Sequence, residues 1–577
     1  MFEQDRKSSE SESKVATHEQ PQEEVGPISR RGLLQGIGGA GALAAAGGLS
    51  LGALKPQIAA GEEIGPTTDN VRRARAARLR RRAANAYLAG PLPNQPCNGD
   101  EDHYSDFRAQ FSKCLPHNRL GEVRPNAYRA LLRALSSGDP GDFDAIPLAA
   151  VAQRRLANPQ SALKFELTGL DGWGTRMRPA PAFASAEIAA EMGEVYWQAL
   201  TRDVPFRDYG SDGLVAAGVA DLNAFSQTVG PQVGGQVTPG TLFRGETPGD
   251  LVGPYISQFL WLPVPYGPST IEQRYTTPIP GDDRMTDYRE WLAIQRGAAP
   301  SVPLNFDPQQ RYIRDNRGLG EWVHTDVVFQ GYFNAALIML SYGSAALSPT
   351  NPYRDDITNQ GNFVSFGAPD ILDLVTKAGR LSLTGAWYQK WSVHRRLRPE
   401  VFAGRLENQV RHRKYYGIHS EIVDSDAVAR VFAAQGTRLL PMAFPEGSPT
   451  HPAYPAGHAT IAGACCTVLK AFFDESFEVP GPVEASRDGL SLDPWYGAPL
   501  TLGGEINKLA ANISIGRDAA GVHYRSDGID GLAVGEAQAI GLLADYSRTY
   551  NENFAGYELT RFDGQRIRIR NGSVHHI

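Results

Sequence analysis

Helical spacing of apolar residues dominates the second half of the chain. From about residue 326 onward, apolar side chains recur at the helical interval in the segments 326–347, 370–394 and 427–440. The repeat is clearest between Ile371 and Leu383, where apolar residues return every three or four positions. This periodicity predicts long helices, each with one buried face.

Further helices are predicted towards the C-terminus. Pro455 suits the first turn of a helix, and the apolar run 459–473 follows it closely. Two more helices are expected over 505–515 and 527–550. No alternation of apolar and polar residues is long enough to predict a sheet, and no internal repeat is visible. The pattern therefore predicts an all-α fold.

The first half of the chain has a different amino-acid composition. Residues 85–320 are rich in Pro and Gly, which predicts short helices joined by long ordered loops. We expect three regions: a signal region over 1–60, a helical and loop-rich region over 61–325, and a helical bundle with the functional site over 326–577. The last two regions are expected to form two helical bundles in one compact unit.

The composition of the chain argues against several classes of protein. The chain has 577 residues, 42% of them apolar, which is enough for a large core, and a net charge of −6, which argues against a dedicated nucleic-acid binder. Four cysteines are too few for a disulfide scaffold, and their neighbours do not resemble a zinc site. The arginine-rich run 72–82 is either a membrane or nucleic-acid patch or, as we favour, the solvated face of a helix.

The N-terminus has the features of an export signal. Arg30 and Arg31 precede a weakly hydrophobic Gly/Ala/Leu run, and Ala60 lies just beyond it. This order predicts a twin-arginine signal cleaved near Ala60, and therefore a periplasmic or extracellular protein without a stable membrane span after signal removal. An uncleaved membrane anchor is the alternative, disfavoured by the many glycines.

The four cysteines allow two interpretations. An oxidising compartment permits a disulfide between Cys97 and Cys114, although the sequence does not decide whether they are bonded. Cys465 and Cys466 lie in an apolar run and are better interpreted as small buried hydrophobic residues.

Polar residues that carry chemistry gather where the predicted helices begin and end. The first cluster spans residues 390–400, where several cations could simply complement the dipole of a helix C-terminus. Lys390, however, is one of only ten lysines and follows the apolar pair Ala386 and Trp387 in a segment that is otherwise suited to burial. A lysine in such a place requires an anion.

Two further clusters complete the candidate pocket. Residues 449–460 run from a Pro/Gly loop into a helix, so that free N–H groups could bind an oxyanion beside His451 and His458; a capping or buried histidine is the ordinary alternative. In the third cluster Asp527 lies four residues after His523 and could hold its imidazole. Together with Lys390, Arg398 and Arg517, these groups suit a tetrahedral trianion.

The three clusters resemble the superfamily of vanadium-dependent haloperoxidases and type 2 phosphatidic acid phosphatases. Its pattern is K-x6-RP, then PSGH, then SR-x5-H-x3-D, and the match covers about 140 residues here. Seven residues separate Lys390 from Arg398, a spacing found in the algal and cyanobacterial bromoperoxidase branch. The segments 113–118 and 367–370 resemble that branch as well.

The resemblance implies a role for each residue of the candidate site. His523 would bind vanadium, with Asp527 orienting its ring. The vanadate oxygens would accept hydrogen bonds from the groups that line the pocket, namely the side chains of Lys390, Arg398 and Arg517 and the Gly457 backbone amide. Three residues would be catalytic: His458 as acid and base, Lys390 by polarising the bound peroxide, and His451 beside the halide, where chloride-type enzymes tend to have an aromatic residue.

The same resemblance implies cofactors and partners. The activity would be oxidation of a halide, with bromide favoured, by hydrogen peroxide to hypohalous acid, which halogenates a small organic acceptor. Vanadate would be the cofactor, and some relatives also hold structural calcium, for which no residue here can be assigned. Algal-type relatives form dimers or dodecamers, so a homo-oligomer is expected, with no nucleic acid as partner.

Two positions depart from the family pattern. Ala456 and Gly516 stand where the family has serines. A lost hydroxyl donor to a charged oxygen costs about 1.5 to 3 kcal/mol, or roughly ten- to a hundredfold in vanadate affinity. An acid phosphatase with a phosphohistidine at His523, and an inactive oxyanion-binding homologue, are the alternative functions.

Overall fold

The structure is a computed structural model that describes residues 68–355 and 359–577. The chain divides into a unit that ends at Ala77 and a large unit, Arg78–Ile577, which contains all the site residues. The predicted signal over 1–60 lies outside the described residues. The division between 61–325 and 326–577 stays a prediction.

The fold is all-α, as predicted. Helices of the N-terminal half are α1 (Asp69–Ala89), α2 (Asp100–His103), α3 (Pro125–Ser137), α4 (Pro140–Asp144), α5 (Ala186–Leu200), α6 (Gly213–Leu222), α7 (Tyr288–Gln295) and α8 (Asn316–Thr325). Those of the C-terminal half are α9 (Gln330–Leu340), α10 (Ala368–Trp387), α11 (Pro399–Arg411), α12 (Ser420–Val423), α13 (Asp426–Gln435), α14 (Gly457–Phe472), α15 (Leu502–Ala519) and α16 (Arg525–Tyr546). Short 3-10 helices lie at Pro159–Leu163, Gly172–Gly174, Phe206–Asp208, Gln258–Leu260 and Ser344–Ala346.

Most predicted helices of the second half are confirmed, with one instructive error. The segment 326–347, predicted as one helix, contains the shorter helix α9, which begins only at Gln330 and ends at Leu340, and then a 3-10 turn at Ser344–Ala346. Asp326, the first residue of the predicted segment, caps the end of α8 with a non-helical backbone, ψ 146°, so the new helix starts later than predicted. The apolar spacing continues beyond both ends of α9, which is why periodicity alone did not reveal its bounds.

Small sheets are present, contrary to the prediction that there would be none. Two are hairpins of three-residue strands, β1 (Val264–Tyr266) with β2 (Ser269–Ile271) and β3 (Val483–Ala485) with β4 (Leu492–Pro494). The third is an antiparallel meander of β5 (Tyr557–Thr560), β6 (Arg566–Arg570) and β7 (Ser573–His576). In β6 the isoleucines are buried between exposed or half-buried arginines, a five-residue alternation that the sequence did contain.

Two hydrophobic cores meet at α15. Leu509 and Ile513 of this helix pack into a core built largely from α9, α10, α14 and α16, whereas Ala511 and Ile515 pack into one built largely from α5, α11 and α13. Both faces of α15 are therefore buried, and its C-terminal end lies between the cores. Arg517 is carried on that end.

Glycines bring α14 and α16 together at their N-terminal ends. A Cβ at Gly535 would lie 2.0 Å from Thr460 O, and one at Gly463 would lie 2.2 Å from Leu532 O, so the two backbones touch where side chains would keep them apart. The Ala456 N–H also donates to Asp527 O, 2.8 Å away. This packing holds the starts of two helices side by side, and each start carries site residues.

The remaining predictions can be compared directly. Cys97 is exposed and Cys114 is buried, and they are not bonded, so the disulfide that the sequence permitted does not form; Cys465 and Cys466 are buried, as predicted. Helix α1 has no buried residue, which confirms the solvated arginine face. None of the helices within residues 68–355 and 359–577 combines the length and the apolarity needed to cross a bilayer.

Candidate functional site

Lys390 lies in a π-helical turn that continues α10. Residues Tyr388–His394 wind as a π-helix, an irregular winding that is frequent at functional sites. The Lys390 side chain is fully buried, and its Nζ donates to the carbonyl oxygens of Pro452 and Ala453, each 2.8 Å away. The first and second sequence clusters are thus joined by this ammonium group.

Arg398 connects the first cluster to both histidine-bearing segments. Its Nε donates to His451 O at 3.1 Å, and its Nη1 donates to Val522 O at 2.7 Å. The same Nη1 lies 2.9 Å from His523 Nε2, and Nη2 lies 3.0 Å from His451 Nδ1. The guanidinium therefore faces two imidazole rings and forms no hydrogen bond with a carboxylate of the described chain.

Arg517 completes the group of cations from α15. Its Nη1 donates to Val323 O at 2.6 Å, at the end of α8, while its buried Nε has no partner among the described residues. The preceding Gly516 packs directly on α8, because a Cβ there would lie 3.0 Å from Val323 Cγ2 and 3.1 Å from Leu319 Cγ. The space of the family serine is therefore occupied by α8.

These three cations are buried without an anion. Within residues 68–355 and 359–577, Lys390, Arg398 and Arg517 form no ion pair with a carboxylate, whereas the neighbouring Arg396 pairs with Glu191 at 2.9 Å. Burial lowers the pKa of Arg398 to about 9 and that of Arg517 to about 10, and it holds the pKa of Lys390 well below its usual value. Such a site gains free energy by binding an anion.

His523 is neutral and aims its Nε2 at the cations. Burial, followed by the charges of Arg398, Lys390 and Arg517, holds the pKa of His523 well below its usual value. Its Nδ1 lies 2.8 Å from Asp527 Oδ2, so the ring proton belongs on Nδ1 and the Nε2 lone pair is available. The predicted orientation of His523 by Asp527 is thus present in the structure.

Asp527 is itself held by a partner that sequence reasoning did not assign. Its Oδ1 accepts from Arg396 Nη1 at 2.7 Å, and Oδ2 also accepts from the Tyr524 N–H at 3.2 Å. Through its other terminal nitrogen, Nη2, Arg396 forms an ion pair with Glu191 of α5. Arg396 was visible as one cation of the first cluster, but nothing in the sequence linked Glu191 to it.

His458 has a second unpredicted partner, Asp326. The His458 Nε2 lies 2.9 Å from Asp326 Oδ1, and 29% of the His458 side chain is exposed. Burial and the charge of Arg517 lower the pKa of His458, against the opposing effect of Asp326. With Nε2–H donated to the carboxylate, Nδ1 is the basic nitrogen. Asp326 is 132 residues away in the chain, so no local signal could have identified it.

The start of α14 offers unused backbone donors. The N-cap residue Ala456 has no side-chain oxygen to accept from them, and the N–H groups of residues 457–459 have no acceptor in the described part of the chain. Such donors form an anion site. The Tyr454 hydroxyl does not replace the missing serine, because it donates to Arg178 O at 2.9 Å.

His451 lies against Trp387 at the edge of the cation group. The two ring centroids are 4.9 Å apart, and the Trp387 Nε1 donates to Ala157 O at 3.1 Å. Burial and the charges of Lys390 and Arg398 hold the pKa of His451 well below its usual value. Hydrogen bonds join Lys390, Arg398, His451 and His523 into one group, and His458 is close enough for the charges of Arg517 and Lys390 to lower its pKa.

The residues present fit a tetrahedral oxyanion such as vanadate. Three cations without a carboxylate partner and three N–H groups without an acceptor, as judged over the described residues, supply the charge and the donors, and one neutral imidazole nitrogen supplies the ligand. The Arg398 Nη1 must leave His523 Nε2 for that nitrogen to bind a metal. No group of three or more His, Cys, Asp or Glu that could hold a metal ion occurs in the described ranges, so a calcium site stays unassigned.

Comparison with known proteins gives a consistent result. Residues 374–552 match the family model of the VCPO second helical-bundle domain. The vanadium-dependent bromoperoxidase of Corallina pilulifera is 34% identical over 88% of this chain and 100% of its own length, and that of Ascophyllum nodosum is 36% identical over 87% and 93%. The structure described as the homohexameric second vanadate-dependent bromoperoxidase of Ascophyllum nodosum has a TM-score of 0.85 and 29% identity, over 92% of this chain and 96% of that one.

Proposed function

The chain belongs to the vanadium-dependent bromoperoxidases, and on this premise we propose how its own residues bind vanadate and move protons. It is a vanadate-dependent haloperoxidase that uses hydrogen peroxide to oxidise halide. The observation that carries the assignment of roles is the group of three buried cations, Lys390, Arg398 and Arg517, which form no ion pair with a carboxylate of the described residues. Arg398 lies 2.9 Å from a neutral imidazole nitrogen, His523 Nε2, whose pKa all three cations lower.

His523 and the cations hold the cofactor. His523 Nε2 is the ligand to vanadium, and Asp527 keeps the proton on the opposite ring nitrogen. Lys390, Arg398, Arg517 and the N–H of Gly457 donate to the oxygens and offset their negative charge. Bound vanadate supplies a Lewis-acidic centre that activates peroxide without a change of metal oxidation state.

His458 is the acid and base of the reaction. Asp326 accepts the Nε2–H, which leaves Nδ1 to take a proton from hydrogen peroxide and later return it. Its lowered pKa keeps the ring neutral, and so able to accept a proton, near neutral pH. Partial exposure of this ring gives the peroxide access from solvent. His451 lies on the halide side of the site. Because its ring is neutral, it does not form an ion pair that would hold bromide tightly.

A bromination assay tests these assignments. Purified protein with orthovanadate, hydrogen peroxide and bromide should brominate a phenol dye, and nitrophenyl phosphate should serve as the phosphatase control. His523→Ala should abolish vanadate binding in calorimetry, because it removes the imidazole nitrogen proposed as the ligand to the metal. His458→Ala should keep binding but lose about 10²- to 10⁴-fold in turnover. Phosphate hydrolysis without bromination, or full bromination by either variant, would contradict the assignments.

Export and assembly are also proposed. The paired arginines and the apolar run that follows them support export by the twin-arginine route to the periplasm or the exterior. A fusion of residues 1–60 to a reporter should be exported, and Arg30→Lys/Arg31→Lys should retain it inside. The homohexameric relative supports a homo-oligomer, which light scattering would measure and for which dimer and dodecamer remain alternatives.

The organic acceptor of the halogenation is proposed by its chemical class. A small organic molecule that reacts with hypobromous acid is proposed, as the family activity implies. Calcium as a structural ion stays a prediction, and elemental analysis of purified protein would test for it together with vanadium.

A further inference from the structure

A buried lysine from the N-terminal half of the chain reaches the loop that leads to His451. Lys113 is 1% exposed, and its Nζ donates to Glu400 Oε1 at 2.8 Å. It also donates to Glu446 O at 2.8 Å and to Ser448 O at 2.7 Å. An ammonium group has three protons, so every donor is used. We call Lys113, Glu400 and the turn 446–448 the lysine clamp.

The acceptor side of the lysine clamp uses both oxygens of Glu400. Glu400 Oε1 accepts from Gln295 Nε2 at 2.8 Å as well as from Lys113, and Oε2 accepts from the Ser448 N–H at 2.6 Å. A buried ion pair in which all three ammonium protons and both carboxylate oxygens are hydrogen-bonded is rigid, because any movement leaves a charge without a partner. The turn is thereby tied to both members of the pair.

Gly447 allows the turn to close on the carboxylate. Its φ is +63°, in the left-handed region, and a Cβ there would lie 2.3 Å from Glu400 Oε2. Any other residue would push the turn away from Glu400. The close approach is therefore a specific feature of this sequence.

The two ends of the lysine clamp lead directly into the site. Glu400 is in the first turn of α11, two residues after Arg398, and Ser448 is three residues before His451. Arg398 and His451 meet through Nε to O at 3.1 Å and Nη2 to Nδ1 at 3.0 Å. The lysine clamp thus sets the separation of the two chain segments whose side chains must meet.

We propose that Lys113 is a positioning residue for the halide side of the site, holding His451 against Arg398 through the lysine clamp. The proposal rests on the proposed function, in which His451 lies beside bromide. Lys390, Arg517 and His523 make no contact with the clamp in the described structure, so vanadate affinity depends on it much less than bromide use does.

The test separates bromide use from cofactor binding in the full chain. In Lys113→Met, the KM for bromide should rise by about ten- to a hundredfold, the size of effect expected from a displacement of about 1 Å. The Kd of orthovanadate, measured by calorimetry on the vanadate-free protein, should change far less than this KM, because Arg398 is only one of several donors to vanadate. Nitrogen-15 spectra of histidine-labelled protein should show a shift of the His451 ring, independently of activity.

Two further variants guard against simple unfolding. Lys113→Met/Glu400→Gln removes both charges and leaves none buried alone, and Gly447→Ala opens the turn with both charges in place. Each should raise the bromide KM as Lys113→Met does. The matched control is Lys508→Met/Glu505→Gln, which removes another buried pair, 2.6 Å apart, that touches none of the site residues. Its bromide KM and His451 signal should be those of the wild type, whatever its melting temperature.

The outcomes distinguish failure of the proposed function from failure of the positioning role of Lys113. Wild-type protein that binds vanadate but brominates nothing would refute the proposed function, while the His451 spectra would still test the positioning claim. If the wild type brominates, two results would overturn the positioning role of Lys113. One is a bromide KM that is unchanged in the clamp variants. The other is a bromide KM that changes with melting temperature to the same extent in the clamp and control variants.

Discussion

The carboxylate of Asp527 offers the sharpest test of how the site binds its cofactor. In Asp527→Asn, the side chain can no longer accept the Nδ1–H of His523 as a carboxylate does, and an amide N–H facing that nitrogen favours the tautomer with the proton on Nε2. The lone pair that would bind vanadium is then lost. Loss of such an orienting partner costs about ten- to a hundredfold in metal affinity, or roughly 1.4 to 2.8 kcal/mol.

An opposing effect must be weighed against this loss. Removal of a negative charge beside a cationic pocket should favour an incoming anion. Asp527, however, is paired with Arg396 at 2.7 Å, so its field at the pocket is already largely offset. The tautomer effect should therefore dominate. Stability should fall only modestly, because Arg396 keeps Glu191 as a partner at 2.9 Å and no cation is left unpaired.

The assay is calorimetric titration of vanadate-free protein with orthovanadate, with thermal unfolding recorded in parallel. Glu191→Gln is the matched control, because it disturbs the same Arg396 and also Ser526 but does not contact His523. Its vanadate affinity should match that of the wild type. Unchanged affinity in folded Asp527→Asn, or an equal loss in Glu191→Gln, would refute the reasoning.

Three further outcomes are expected. Asp326→Asn should lower turnover by about ten- to a hundredfold with vanadate affinity retained, since it removes the carboxylate that holds His458; equal loss of binding would contradict this. Ala456→Ser should tighten vanadate binding by about tenfold in calorimetry, because it adds a donor at the start of α14; an unchanged Kd would mean another donor already serves. Burial lowers the pKa of His117 to about 3, so between that value and about 6.5 the unfolded chain binds a proton that the native chain does not, and stability falls as the pH falls. His117→Asn should remove about 2 kcal/mol of the decrease in unfolding free energy between pH 7 and pH 5, measured by urea unfolding. An unchanged decrease would count against this role of His117.

Much of this site could be predicted because its residues lie in short contiguous clusters. Lys390 and Arg398 are in one cluster, and His523 and Asp527 are four residues apart, so that local spacing carries their relation. The helices that carry them follow from apolar periodicity, which is a property of the sequence alone. The helix predicted over 326–347 was too long at both ends, since the start and end of a helix depend on the backbone conformation of single residues such as Asp326.

The tertiary structure alone decided which residues support those clusters. Asp326 beside His458, Glu191 behind Arg396 and Lys113 beneath the loop to His451 are each joined to their partners across more than a hundred residues. A hydrogen bond or ion pair forms wherever packing brings two groups within about 3 Å, and spacing along the chain carries no trace of that meeting. The sequence by itself therefore determined the chemistry and the helices. Only folding determined that the three cations would be buried without carboxylates, because burial and pairing belong to the surroundings of a residue and not to its identity.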